Sequence, residues 1–530
     1  MLLKTLDTAT LNYIKELETR YEQKYQALEL NYQRQTKELK QIQYEYLDLK
    51  ERYDLLMYKR FVRSSEVLLA DKKQPLLFNA EEQPVKTAVE EEHTYEVKSF
   101  TRKKAGRKGI DPKIPREDRI IDMPESEKSC ACGAILTKIG EESSEKLHII
   151  PPRIYVERII RPKYACRSCE GTEDEQKPVV RIAEVEPSII PKSIASPSLL
   201  SCIIVQKYED HLPYYRQEKQ FHRVGVELSR QDMSNWQVQV FKKLAPLFEL
   251  LEEQLKTGPV MQMDETTVQV MGEEGREDTQ KSRMWVARGG PPEEPVVLYK
   301  YRQTRSAYHA KEMLEGYSGY LQTDGYEGYD AAIKDMPGIL HVGCFAHTRR
   351  KFFEAAKISS QAGTAQQGIG YIKSLYVIEA ELRKEYEKDE ETEKFLDERK
   401  LRTKPVLEEF KIWLLRGHQE VPPTLLLGKA IGYSLSQWDK LVRYLESPYL
   451  TPDNNACENA IRPFVLGRKN WLFNKSPEGA DSSCGMYSLI QTAKHNGLNP
   501  AQYLTTVFQK APMACSVEDW KKLLPWNIFK

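Results

Sequence analysis

The most regular spacing of apolar positions lies at 11–56. One seam reads Leu11, Glu18, Tyr25, Tyr32, Leu39, Tyr46, Tyr53, and the other Ile14, Tyr21, Leu28, Gln35, Ile42, Leu49, Leu56. Only Glu18 and Gln35 are polar, and neither Pro nor Gly interrupts the run, which predicts a long helix in a coiled coil. Self-association through this seam is expected, giving a homodimer or higher oligomer with Gln35 fixing register. A helix folded back on its own domain is the alternative.

The pattern dissolves in an acidic linker at 71–97 and returns as short strands, including 155–160, between two pairs of cysteines. At 197–255 it is helical. Within that region 225–236 reads as a turn, a Ser229 cap and a helix, a helix-turn-helix that would present Arg230, Gln231 and Asn235 to DNA; a plain helical connector fits the same residues. Short β-patterned runs follow at 260–270, 284–288 and 295–299. Next come a helix at 307–314, a strand ending on Asp324, a helix at 326–333, a strand at 339–342 and a helix from about 348. Three strands and then alternating helix and strand is the order of a ribonuclease-H-like domain. There the first and fourth strands are neighbours, so Asp264 and Asp324 would end side by side.

Charged amphipathic helices at 358–448 read as an insertion before the third carboxylate. In 451–463, Asp453 is a good helix N-cap, Glu458 and Arg462 stand four apart on one face, and Pro463 is expected to stop the helix. Two helices about Gly497, with Trp520 and Trp526 beyond, read as a small cap on the core. The expected fold class is multidomain α/β: a ribonuclease-H-like catalytic core with a helical insertion, an N-terminal coiled coil, a zinc-ribbon-like region and a helix-turn-helix. The expected boundaries are 1–70, 71–97, 98–185, 186–256, 257–357, 358–448, 449–485 and 486–530.

Composition changes this picture at three points. A chain of 530 residues exceeds one core, and its 40% hydrophobic and 30% charged content is that of a soluble protein. No apolar run nears the ~18 residues needed to cross a bilayer, and the charged N-terminus is unlike a signal peptide, so a cytoplasmic protein without membrane contact is expected. The net charge of +1 hides a basic stretch in which Lys98 to Arg119 holds nine Lys or Arg against three Asp or Glu. Within it Lys103, Lys104, Arg107 and Lys108, flanked by glycines, suit a narrow minor groove and its phosphates, with a solvated charged loop as the alternative. Of nine cysteines, Cys130, Cys132, Cys166 and Cys169 form two close pairs expected to hold Zn²⁺ with four thiolates, although one intervening residue in the first pair is fewer than usual.

The remaining chemistry is acidic. Asp264, Asp324 and Glu458, remote in the chain, are hard ligands that could hold two Mg²⁺ or Mn²⁺ ions for phosphodiester cleavage, with Asp264 bridging. Arg462, Arg468 and Lys469 would hold phosphate oxygens beside them, and Trp471 would stack on a base or lie buried. His341, Cys344 and His347 straddle a strand-to-helix joint without a clear fourth ligand, so His347 is expected to orient groups near the active site rather than bind metal.

The chain resembles the transposases of the insertion sequence 66 family, the TnpC type, over essentially its whole length. The matching motifs are 60–66, Gly106-Arg107-Lys108, the cysteine pairs, 212–216, Met263-Asp264-Glu265-Thr266, Thr323-Asp324-Gly325-Tyr326, 344–352 and 453–463. Departures are Val62 where Gly is common and Asn459 where Arg is common. The resemblance implies a DDE transposase with its triad on Asp264, Asp324 and Glu458, a zinc-binding region, a helix-turn-helix and a coiled coil. Its DNA partners would be the element's terminal inverted repeats and a target, and small accessory proteins often accompany such enzymes. A DNA-binding regulator or a hydrolytic nuclease derived from a transposase is the alternative.

Overall fold

The computed structural model describes residues 8–61, 154–165, 180–358, 362–386 and 392–529. The chain divides into two units, 66–184 and the remainder. In the smaller, β1 (Lys163–Ala165) and β2 (Val180–Ile182) pair antiparallel with Lys163 opposite Ile182, and the Arg161 guanidinium donates to the Ala183 carbonyl at 2.7 Å. The strand expected at 155–160 is not formed among the described residues. Its β-branched side chains have no neighbouring strand there, and Val156 is 93% exposed.

In the larger unit α1 (Thr8–Phe61) is one uninterrupted helix. Its seam residues Tyr25, Leu28, Tyr32 and Leu39 stand in solvent. Near its end the Glu51 carboxylate accepts the backbone N–H of Leu426 at 2.8 Å. That is the start of a helix whose N-cap has no side-chain acceptor of its own.

The helices α2 (Pro197–Tyr208), α3 (Tyr214–Arg223), α4 (Arg230–Lys243) and α5 (Ala245–Leu255) follow. Ser196 and Ser229 cap α2 and α4 by accepting the N–H groups of Leu199 and Asp232. Gly225, at φ +80°, turns the chain after α3. Ile203, Tyr214, Phe221, Leu228 and Met233 form a small core joining α2, α3 and α4.

A five-stranded sheet comes next: β3 (Val260–Gln269), β4 (Lys281–Gly289), β5 (Val296–Arg302), then α6 (Ala307–Leu314), β6 (Gly319–Gln322), α7 (Glu327–Ile333) and β7 (Ile339–Val342). The order across it is β5-β4-β3-β6-β7, with β5, β4 and β3 antiparallel and β6 and β7 parallel to β3. The first and fourth strands are thus neighbours, with Gln262 opposite Gln322.

Beyond β7 lie α8 (Phe345–Ile358), α9 (Ala362–Glu385), α10 (Thr392–Glu420), α11 (Leu426–Ser436) and α12 (Trp438–Val442). They are organised by one buried cation. Arg399, with no exposed surface, pairs with Glu379 at 2.6 Å and donates to the carbonyls of Tyr444, Ser447 and Leu450 at 2.8–3.0 Å. A charge so desolvated is tolerated only when paired and hydrogen-bonded, so α9 and α10 become fixed to the strap that leads out of these helices.

The chain then returns to the sheet as α13 (Asn455–Trp471), α14 (Pro477–His495), α15 (Pro500–Lys510) and α16 (Val517–Lys521). Of these, α14 is part of the core itself. Residues from Ala480 to Ala493 of α14 are almost all buried, and small residues let it lie close against edge strand β5. Thr492 Oγ1 meets both the N–H and the carbonyl of Val297 at 3.1 Å, and Ser488 Oγ accepts the N–H of Tyr299 at 2.9 Å. Hydroxyls therefore satisfy an edge that would otherwise seek another strand. Thr492→Val keeps the shape and strands both Val297 groups; urea unfolding should show a loss of about 1–3 kcal/mol, whereas an unchanged midpoint would show the edge satisfied otherwise.

Candidate active site

Asp264 and Asp324 each lie two residues beyond the Gln262–Gln322 pair, so the parallel register of β3 and β6 carries both carboxylates to one end of the sheet. Side chains alternate along a strand, and Asp264 shares its face with Val286 and Tyr299, directly across β4 and β5. That face is covered by α13: Cys457 Sγ lies 3.7 Å from the Val286 carbonyl, and the Tyr299 hydroxyl donates to the Ala460 carbonyl. Glu458, in the first turn of α13, is thereby brought within Coulombic reach of Asp264.

Two expectations about α13 need correction. The helix starts after Asn454, and Asp453 instead folds back in a tight turn, accepting the Asn455 N–H at 3.0 Å and its side-chain amide at 2.8 Å. Nor does Pro463 stop it. The buried face Cys457, Ala460, Ile461, Phe464, Gly467 holds the helix through to Trp471 despite the missing N–H. The residue that sets its start is Asn454. Its amide donates to the Met263 carbonyl at 3.0 Å, one residue before Asp264, and its backbone N–H donates to Cys344 Sγ at 3.3 Å.

The carboxylates interact strongly. Burial pushes Asp264 up to about 8, and the neighbouring charges of Glu265, Asp324 and Glu458 add to this. Burial also raises Glu458, with Asp453 and Asp324 adding to it and Arg350 opposing it. Glu265, on the other face of β3, is compensated: its carboxylate accepts from the Arg305 guanidinium and, at 2.8 Å, from the Tyr329 hydroxyl. Arg305 also stands 3.6 Å from Asp324 and lies over the Tyr326 ring.

On the far side of Glu458, Arg350 approaches to 3.7 Å and His347 Nδ1 to 3.6 Å. Burial, with the charges of Arg350 and Lys351, pulls His347 down to about 4, so the ring is neutral at physiological pH. His341 is engaged elsewhere, between Thr323 Oγ1 at 2.8 Å and Asp330 Oδ1 at 2.7 Å, and takes no part in this cluster. Cys344, His347 and Glu458 do cluster, with ligand atoms within 4.8 Å of one another. Glu458 supplies the third ligand that the sequence spacing did not reveal.

Comparison with known proteins gives the family. The description "Transposase IS66 family" matches residues 192–482, more than half of the chain. The chain belongs to the IS66 transposase family. Residues 127–170 match the "zinc-finger binding domain of transposase IS66", and 488–526 the "IS66 C-terminal element". Residues 48–119 match "Transposase C of IS166 homeodomain", which spans the basic run and the stretch read above as a linker. Similar proteins from Sinorhizobium fredii (strain NBRC 101917 / NGR234) include the uncharacterized proteins y4jD and y4hP. The first is 32% identical over 433 residues, 79% of this chain and 81% of its own. The second is 29% identical over 472 residues, 86% of this chain and 82% of its own.

For this IS66 family member, Cys130, Cys132, Cys166, Cys169, Lys103, Lys104, Arg107 and Lys108 lie outside the described residues. Arg230, Gln231 and Asn235 are exposed on the first turns of α4, where Gln231 bonds Asn235 at 2.9 Å. Arg462 and Lys469 lie on the outer side of α13, half-buried and exposed respectively. Arg468 turns inward, its Nη1 donating to the Thr267 carbonyl and to Thr267 Oγ1 at 3.0 Å, and so ties the end of α13 to β3. Trp471 packs on Phe464 with ring centroids 5.4 Å apart, the core placement rather than the stacking one. Arg305, Tyr329, Arg399 and Asn454 are site-building residues that sequence reasoning missed.

The raised Asp264 has a thermodynamic consequence. The metal-free folded chain keeps a proton up to about pH 8 that the unfolded chain loses near 3.8, so this stability is present at low pH and is lost as pH rises through that window. In chelator, Asp264→Asn should flatten the decline between pH 5 and 8 and leave the variant more stable at pH 8 by at least about 1 kcal/mol. Parallel stability curves for the two proteins would contradict the shift.

Proposed function

We propose that this IS66 family member is a DDE transposase. It would bind the terminal inverted repeats of an insertion sequence, cleave a strand at each end and join the freed 3′-hydroxyl to target DNA. The observation that carries this reading is the convergence of Asp264, Asp324 and Glu458, each from a different element, within Coulombic reach of one another. The strand order β5-β4-β3-β6-β7, with Asp264 in β3 just past its pairing with β6, Asp324 just past β6 and Glu458 on a later helix, supports a ribonuclease-H-like core.

The donor set fits divalent magnesium or manganese. The carboxylates are hard, desolvated and mutually repelling, and Glu458 Oε1 is buried without a hydrogen-bond partner among the described residues. Asp264, Asp324 and Glu458 would hold the ions. When bound, a metal pair supplies activation of the attacking oxygen and charge stabilisation at the leaving oxygen. Arg350, 41% exposed beside Glu458, is placed to take a phosphate oxygen of the scissile strand, and Arg305 holds Asp324 against Glu265. Arg462 and Lys469 extend the basic surface along α13.

The helix-turn-helix of α3 and α4, with Arg230, Gln231 and Asn235 outward, would engage the inverted repeat. Lys103, Lys104, Arg107 and Lys108 would hold its phosphates, and Cys130, Cys132, Cys166 and Cys169 a structural Zn²⁺. The exposed seam of α1 supports self-association that brings two ends together, in the cytoplasm at the nucleoid. Incubating the protein and Mg²⁺ with a labelled inverted repeat and a target plasmid should give joined product, and Asp264→Asn, Asp324→Asn or Glu458→Gln should lower joining at least about a hundredfold. Nicking without joining would make the protein a nuclease, binding alone a regulator, and joining by any of the variants would remove that residue from the triad.

A further inference from the structure

Cys344 and His347 open α8 where it meets the first turn of α13, and with Glu458 they present three ligand atoms within 4.8 Å of one another. His347 Nδ1 and Glu458 Oε1 are buried, 3.6 Å apart, and neither has a hydrogen-bond partner among the described residues. Two unsatisfied polar atoms facing each other in a desolvated place are unfavourable unless something completes them. The third corner is already oriented, because the Asn454 N–H donates to Cys344 Sγ. A hard ion such as Mg²⁺ has little preference for thiol or imidazole, whereas a borderline ion of the zinc class takes sulfur, nitrogen and a carboxylate oxygen together.

We propose that Cys344, His347 and Glu458 form a binding site for a borderline divalent ion, separate from the cysteine-pair region, whose occupation withdraws Glu458 from the carboxylate centre and silences strand transfer. The silencing rests on the reading of Glu458 as an active-site carboxylate; the ion site does not. Around a tetrahedral ion with such ligands, neighbouring donor atoms stand roughly 3.3–3.8 Å apart, so the cluster closes by about 1 Å on binding. His347 and Glu458 side chains keep 22% and 13% of their surface, which gives an ion and a fourth, water ligand a way in. The thiol gives its proton to solvent as the metal–sulfur bond forms, so binding strengthens with pH.

The full chain, first given enough Zn²⁺ to fill the cysteine-pair region, is titrated with Co²⁺ while thiolate-to-cobalt charge-transfer absorption is followed. A cobalt–thiolate band is expected that persists in Cys130→Ser, is lost in Cys344→Ser and needs at least about tenfold more cobalt in His347→Gln. Circular dichroism confirms that each variant is folded, and partly exposed His347 gives a second reading should Cys344→Ser misfold. The same band in Cys344→Ser as in the wild type, or no band in the wild type, overturns the site. In excess Mg²⁺, added Zn²⁺ should suppress joining by the wild type and spare Cys344→Ser; equal suppression of both overturns the silencing. Should Glu458→Gln still join DNA while the wild-type cobalt band stands, the ion site holds and the catalytic reading of Glu458 falls.

Discussion

Desolvated like charges repel, and this protein gathers Asp264, Asp324 and Glu458 at one end of a sheet with Glu265 directly behind them. Without compensation such a group would spread apart or protonate, and Asp264 does keep its proton to about pH 8 in the metal-free state. Much of the surrounding structure is the scaffold that opposes this repulsion. A site strained in this way gains affinity for divalent cations, because an ion relieves what folding imposed.

The opposing contacts come from widely separated parts of the chain. Parallel pairing of β3 with β6 fixes the two aspartates in register. Arg305 and Tyr329 hold the Glu265 carboxylate on the opposite face of β3, although its charge still bears on Asp264. Asn454 fastens the start of α13 to the Met263 carbonyl, and Arg468 fastens its end to Thr267. Behind this, Arg399 and Glu379 anchor the 444–450 strap from which α13 is launched. The helices between the second and third carboxylates thus help to set where Glu458 stands.

The fold was legible where local pattern and connection order suffice. The seven-residue seam marked α1, β-patterned runs marked the strands, and their order alone put Asp264 beside Asp324. Other features were not legible because tertiary contacts overrode local rules. Pro463 reads as a stop, yet the buried face of α13 carries the helix past it. α14 is buried on nearly every side, through Met486, Tyr487, Leu489 and Ile490 as well as Gly, Ala, Ser and Cys, so no one-sided apolar stripe marked how deeply it lies. Asn454, Arg399 and Arg305 act across 20 to 191 residues of sequence, a distance over which no spacing rule points to a partner. The pairing of Cys344 and His347 with Glu458 was hidden for the same reason.

The most direct measurement is anomalous scattering from crystals of the protein soaked in Mn²⁺. Manganese is expected between the carboxylates of Asp264, Asp324 and Glu458, with all three within coordinating distance. Manganese bound only elsewhere, or a Glu458 carboxylate that stays out of reach of an ion held by the two aspartates, would contradict the convergence on which the proposed chemistry depends.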